Sequence, residues 1–319
     1  MFFPYGISGL EERIAKVCNL KMIGESEEKS RMINNKIYAR EIADELGFQT
    51  SEGCTCSTIE EMTVAYNQLK KKYNRIIVKT PCNASGKGMW IVDDENRFKM
   101  VSRIVSRYLR SNENSSWLVE GWLEKEMDIN FQIFVSEDGN VQVFSIKEQI
   151  TEDMVYIGSV FQPRMTQEQY ALCYEYAHKI GKYLYKHSFW GIFGVDGLIT
   201  KSGQIIPILE INGRCTLSTY VSFLTNQFGK KYFLAFYKRA ISQKLVNYKK
   251  FYNALKDKGL CANRNKSGLF LYTPATLDSQ KYEKMIRVFC VACGDTVDEI
   301  FELKNQFDSV CAELEICDL

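Results

Sequence analysis

Apolar positions along this chain recur at two spacings, and the changes of spacing mark its elements. From Glu27 to Gly47, the residues Ile33, Ile37, Ala39, Ile42, Ala43 and Leu46 return at three- and four-residue steps, which predicts one helix ended by Gly47. A second helix is expected in STIEEMTVAYNQLKKKY, with Ser57 or Thr58 as cap and acids in the first turn. Ile76 to Lys79 is a short apolar strand, a polar loop follows, and MWIV after it is again strand-like. The turn DDEN then leads to RFKMVSRIVSRYLRS, at helical spacing, and Trp117 to Val119 is a strand running into EGWLEKE.

Farther along, DINFQIFV and NVQVFSIKEQI alternate with period two on either side of SEDG, the pattern of a hairpin. MTQEQYALCYEYAHKIGKYLYKHS reads as one long amphipathic helix whose aromatic stripe suits a core. GIFGVDGLIT and QIIPILEIN form a second hairpin around KSG. The stretch from about Lys230 to Lys256 reads as helical and basic, with its charges solvated, and SGLFLYTPATL as a strand and turn. The last forty or so residues mix both signals without a motif, and there is no internal repeat or low-complexity linker.

Composition narrows the class. At 319 residues, 45% of them hydrophobic and 25% charged, the chain has the make-up of a soluble globular protein of one large or two ordinary domains. Its 41 Lys and Arg against 39 acids leave a net charge of +2, which gives no global attraction to nucleic acid or an anionic membrane. Phosphate binding, if present, is local. No run approaches the roughly eighteen apolar residues that span a bilayer, and the start MFFPYGISGLEERIAK lacks a secretory pattern, so a cytoplasmic location is expected. Eleven scattered cysteines fit reduced, buried thiols. Cys54 with Cys56, and Cys290 with Cys293, lack a second pair at zinc spacing, and the two histidines, His178 and His187, read as structural.

Candidate chemistry begins with IIVKTPCNASGKGMWIV. It is not a Walker loop: Pro81 stands where the first glycine belongs, Gly88 follows Lys87 in place of Ser or Thr, and a strand follows rather than a helix. What remains is a hairpin flap. The backbone N–H groups of Ser85, Gly86, Lys87 and Gly88 can approach phosphate oxygens, Lys87 adds charge, and Lys79 on the preceding strand points beneath the same phosphates. A closing flap excludes water from phosphoryl transfer.

The second candidate is FGVDGLITKSGQIIPILEINGR. A three-residue turn at Ser202 to Gln204 pairs Lys201 with Ile205, and that register carried outward sets Asp196 opposite Glu210, with Asn212 facing the same way. Directly opposed Cβ atoms lie about 4.5 to 5.5 Å apart, so two buried carboxylates there require a cation. An Asp, Glu and Asn oxygen set suits Mg²⁺.

Taken in order, NNKIYAREIADELGF, the VK strand, ASGKGM, VEGWL, and GVDGLI followed by LEINGR resemble the ATP-grasp superfamily from about Asn34 to Thr219. The resemblance implies an α+β ATP-grasp fold, two α+β subdomains clasping ATP, with a much shortened N-terminal domain, since only about thirty-five residues precede Lys36. The expected division is 1–72 as N-terminal region, 73–125 as small subdomain with the flap, and 126–319 as large subdomain and extension. The resemblance also implies that Lys36 and Lys79 bind ATP phosphates and that Ser85 to Met89 close over them. Glu120 to Leu123 would meet adenine, with Trp122 fitting equally as core, and Glu126 and Asp128 both stand open as the ribose-binding acid. Asp196, Glu210 and Asn212 would hold Mg²⁺, with Mn²⁺ as an alternative, and Arg214, with Lys87, would act on the transferred phosphate.

Members of this superfamily pass the γ-phosphate of ATP to a carboxylate and let an amine, less often a thiol, attack the acyl phosphate, chemistry that needs positioning and charge neutralisation more than acid–base side chains. The wording EINGRCTLSTY and the hairpin DINFQIFV are similar to bacterial amino-acid and peptide ligases of natural-product pathways, including those that load a carrier protein. The implied substrates are a small carboxylate and an amine. Thioester formation on an acyl carrier protein and a non-catalytic ATP-binding module are the alternatives. A homodimer is compatible with the resemblance.

Overall fold

The computed structural model describes residues 1–82, 88–111, 116–152, 154–242, 246–273, 277 and 285–318. In chain order its elements begin with α1 Gly9–Val17, α2 Glu27–Ile33, α3 Lys36–Glu45, β1 Gly53–Cys56, α4 Ile59–Leu69, β2 Ile76–Lys79, β3 Met89–Val92, α5 Glu95–Ser111 and β4 Trp117–Gly121. They continue with β5 Lys125–Val135, β6 Val141–Glu152, β7 Val155–Phe161, α6 Gln167–Lys186, β8 Gly191–Thr200 and β9 Ile205–Asn212. The remainder comprises α7 Thr219–Leu224, β10 Tyr232–Ser242, α8 Tyr248–Asp257, β11 Gly268–Thr273, β12 Met285–Gly294, α9 Val297–Glu313 and β13 Ile316–Asp318. No helix among the described residues is long and apolar enough to cross a membrane.

These elements form two compact units, Met1–Phe144 with Met165–Thr216, and Ser145–Arg164 with Leu217–Leu319. In the first, β1, β4, β2 and β3 make an antiparallel sheet in that order. One face is covered by α4 and α5, whose Met62, Tyr66, Leu69, Phe98, Val101 and Val105 pack on Val78, Trp117 and Val119. Thr58 caps α4 in a reciprocal capping box with Glu61. The same unit holds the antiparallel strands β5, β8 and β9 and α6, which buries Cys173, Ala177, Ile180 and Leu184 at helical spacing.

In the second unit the strand order is β11, β12, β10, β7 and β6, with β13 also on β10. Helices α8 and α9 bury Phe251, Leu255, Phe307 and Val310 against Leu234, Phe236, Val288 and Cys290. Phe236 and Phe307 meet edge to face at 5.1 Å between centroids. The region from Lys230 to Lys256 is therefore not all helix: its first half is β10, because YFLAFYKRAIS is aromatic-rich and pairs with β12 from Tyr232 to Ile241.

Two other local departures bear on the site. The expected helix from Glu27 to Gly47 is two helices, broken where Asn34 ends α2 and Asn35, in an extended conformation, caps α3 by accepting from the Ile37 N–H at 2.8 Å. Adjacent asparagines offer the backbone side-chain bonds that compete with helix continuation. The turn after β8 is also displaced by one residue from the expected one: the Thr200 N–H donates to the Gln204 carbonyl at 2.9 Å, so Lys201 lies in the turn, and the register beside it pairs Ile199 with Ile205 and Leu198 with Ile206. A β-bulge around Pro207, which has no N–H to give the ladder, then shifts the register so that Asp196 still meets Glu210.

Candidate functional site

The segment after β9 and the start of α3 bring the candidate residues of the first unit together. Asp196 and Glu210 face each other across β8 and β9, and Asn212, paired with Gly194, lies at the end of the same strand. Both carboxylates are half-buried rather than fully enclosed. Each carboxylate oxygen accepts a bond. Asp196 Oδ1 takes the Asn130 amide at 2.6 Å and Oδ2 the Asn212 amide at 3.1 Å. Glu210 Oε1 takes the Asn212 amide at 3.3 Å and Oε2 the Lys36 ammonium at 2.8 Å.

Lys36 is the first residue of α3, buried, and its backbone N–H donates to the Pro81 carbonyl at 2.8 Å, two residues past the end of β2. Burial works against the Glu210 charge, but the Lys36 charge and hydrogen bond, aided by Asp196 and Asn212, outweigh it, so the carboxyl sits below its usual range. Arg214 donates to Asn212 Oδ1 at 2.9 Å and to the Cys215 carbonyl at 3.1 Å, and its guanidinium lies 6.0 Å from the centre of the Tyr5 ring.

A second charge cluster sits on the four-stranded sheet. Lys79 ends β2 with its ammonium 2.6 Å from Glu120 Oε2, and Arg40 of α3 reaches Oε1 of the same carboxylate at 2.8 Å. Lys79 and Glu120 are both buried. The Arg40 guanidinium also bonds the Ser51 carbonyl and Asp44, so α3 is joined to β4 through charge. The side chain of Glu120 is thereby engaged by cations. Trp122 lies beside the Arg75 guanidinium, and Leu123 follows it between β4 and β5.

Of the two acids expected near a ribose, Glu126 is exposed at an irregularity in β5, while Asp128 is half-buried and paired with Lys125. Gly88, at φ +75°, accepts from the Thr80 N–H and leads into Met89 at the start of β3. Ser85, Gly86 and Lys87 fall outside the described residues.

Sequence reasoning passed over Arg40, Asn130 and Gln132. The last two are fully buried on β5, where Gln132 donates to Asn130 Oδ1 at 2.7 Å and so orients the amide that reaches Asp196. The polar alternation of DINFQIF was their only signal, and it was read as the pattern of a hairpin strand and no more. In the second unit, Glu148 is likewise buried on β6, where it receives the Arg164 guanidinium. No group of three Cys, His, Asp or Glu side chains gathers among the described residues. A cation held here would have Asp196, Glu210 and the Asn212 amide as its donors. Cys56, Cys290 and Cys293 are buried thiols as expected, but Cys18, Cys54, Cys82 and Cys317 are exposed, so burial does not describe all eleven.

A family model described as the ATP-grasp domain matches residues 41–228. The butirosin acyl-carrier protein–L-glutamate ligase of Niallia circulans is 31% identical over 205 residues, 63% of this chain and 48% of that protein. The match thus spans about half of the relative's length. Among solved structures, an N5-carboxyaminoimidazole ribonucleotide synthetase in complex with ADP superposes with a TM-score of 0.67 at 14% identity, covering 96% of this chain and 78% of that one. Biotin carboxylase from Campylobacter jejuni, in an ATP complex, gives 0.68 at 16% identity over 98% and 74% of the two chains. At such identities these structures establish the fold.

Proposed function

The chain belongs to the ATP-grasp family, and on that premise we propose that it is an ATP-dependent ligase that activates a small carboxylate, an amino acid, as an acyl phosphate and passes it to an amine. The observation that carries this reading is the pairing of Asp196 with Glu210 across β8 and β9, with Asn212 and Arg214 at the strand end and Lys36 against them.

The donor set fits an oxygen-preferring divalent cation: two opposed carboxylates, plus an amide whose oxygen reaches the same place by rotation. Mg²⁺ held there would neutralise phosphate charge. Lys36 and Lys79 provide cations for the nucleotide phosphates from two sides of the flap base, and the flap glycines provide backbone donors. Arg214, held by Asn212 and Cys215, would steady the phosphate in transit from ATP to the carboxylate oxygen. ADP then leaves, the acceptor attacks the acyl carbon and loses a proton, and phosphate departs. None of these steps requires a histidine.

A second reading replaces the amine with the phosphopantetheine thiol of a carrier protein. It is favoured by the Niallia circulans relative, whose name specifies an acyl-carrier protein and L-glutamate, and by the basic stretch from Lys230 to Lys266, which contains eleven Lys and Arg and one acid, although Lys230, Lys238 and Lys258 pair with Asp295, Asp308 and Glu313. Lys249, Lys250 and Lys256 of α8 are exposed and offer charge to an acidic partner.

The test measures ADP and phosphate release with Mg-ATP across a panel of amino acids, with and without hydroxylamine. Carboxylate-dependent release with a hydroxamate product supports activation through an acyl phosphate. ATP binding without turnover on any carboxylate would remove the ligase reading.

A further inference from the structure

The four oxygens of Asp196 and Glu210 are all occupied by donors of the chain itself: Asn130 and Asn212 on Asp196, Asn212 and Lys36 on Glu210. We propose that Lys36 is a built-in counter-ion of this cation site, with the Asn212 amide as the site's hydrogen-bonding partner, holding the carboxylates until nucleotide phosphates draw Lys36 away, so that the divalent cation enters with the nucleotide and not before it. The inference rests on the cation and phosphate roles given to these residues above.

The physical argument concerns what a cation must displace. The Lys36 side chain is only 5% exposed, and its backbone is tied to the Pro81 carbonyl at one end of α3, so its ammonium cannot simply swing into water. A cation that took Glu210 alone would strand this charge in a half-dry site, which is strongly unfavourable. It would also have to turn the Asn212 amide over to present Oδ1, and Oδ1 is held by Arg214 at 2.9 Å. A nucleotide removes both obstacles, since its phosphates offer Lys36 and Arg214 new anionic partners as the cation arrives. Cation and nucleotide are then thermodynamically coupled: each raises the affinity for the other, and Lys36 carries the coupling.

The experiment is a titration of the whole chain with Mn²⁺ alone, with free Mn²⁺ read by electron paramagnetic resonance, for wild type and for Lys36→Met. The variant is expected to bind Mn²⁺ at least about tenfold more tightly than wild type in the absence of nucleotide. It should bind a non-hydrolysable ATP analogue less tightly. Lys36→Gln, which keeps some hydrogen bonding without charge, is the second variant should the first fold poorly, and the same tightening is expected of it.

Equal or weaker Mn²⁺ binding by the variants overturns the inference. So does wild-type protein that binds Mn²⁺ as tightly without the analogue as with it, a result that needs no variant. The phosphate role fails separately: a variant that gains Mn²⁺ affinity yet binds the analogue as wild type does would leave the counter-ion role standing and remove Lys36 from the nucleotide site.

Discussion

Gly213 donates its backbone N–H to Asn34 Oδ1 at 3.2 Å, tying the break between α2 and α3 to the turn that follows Asn212 although 179 residues separate the two. The approach is close enough that a Cβ on Gly213 would lie 2.3 Å from Ile33 Cγ2, in the buried wall of α2. Gly213→Ala is therefore expected to shift the α2–α3 junction and with it Lys36, lowering stability by about 1–3 kcal/mol and impairing ATP binding. Urea unfolding alongside calorimetric titration measures both, and an unchanged unfolding midpoint would show that the junction yields without cost.

Glu210→Gln keeps the shape of the side chain but takes a charge from the carboxylate pair. Its ATP turnover at saturating Mg²⁺ is expected to fall by at least about a hundredfold, with circular dichroism like that of wild type. Turnover at the wild-type level would mean that β8 and β9 do not hold the catalytic cation.

Lys79→Ala should weaken ATP binding more than Lys87→Ala. The ammonium of Lys79 is fixed on the sheet by Glu120, which Arg40 also holds, so its position does not depend on closure, whereas a contact from Lys87 is expected to form only as the flap shuts. Calorimetric titrations of the two variants with ATP decide the order, and the reverse order counts against the flap.

Thiol chemistry should divide the cysteines by burial. Burial, then the neighbouring Cys54, pushes the Cys56 thiol up to about 12, and burial alone takes Cys173 to about 12. At pH 8 a thiol reagent is expected to modify Cys18, Cys54, Cys82 and Cys317 quickly and Cys56, Cys173 and Cys290 only after unfolding. Because these folded-state values lie above the unfolded value of about 8.5, the stabilising contribution is complete below that pH. It is lost as the pH rises from there toward about 12. Stability measured from pH 8 to 10 should decline accordingly, and a flat profile would show the thiols to be better solvated than their burial indicates.

Much of the site was legible because its residues stand on short, strongly patterned strands. IIVK and MWIV, with a glycine-rich loop between them, announce β2 and β3, and the alternation of GVDGLI and ILEIN announces β8 and β9. The opposition of Asp196 and Glu210 was also foreseen, yet by a register that the turn does not have. A turn displaced by one residue and a bulge at Pro207 compensate one another, and neither leaves a local mark strong enough to read.

The chain's order of motifs and its two periodicities determined by themselves the family, the strands β2, β3, β8 and β9, and the types of residue proposed for phosphate and cation. The tertiary structure decided which charge answers which. Lys36 meets Glu210, while Lys79 and Arg40 share Glu120, and the buried Asn130 and Gln132 orient Asp196 from a neighbouring strand. Periodicity reports which face of an element is apolar, a property of neighbours along the chain. The pairing of buried charges depends on how far distant elements approach and which polar groups lose water together, and those distances are set only when α3, β4, β5 and β9 pack.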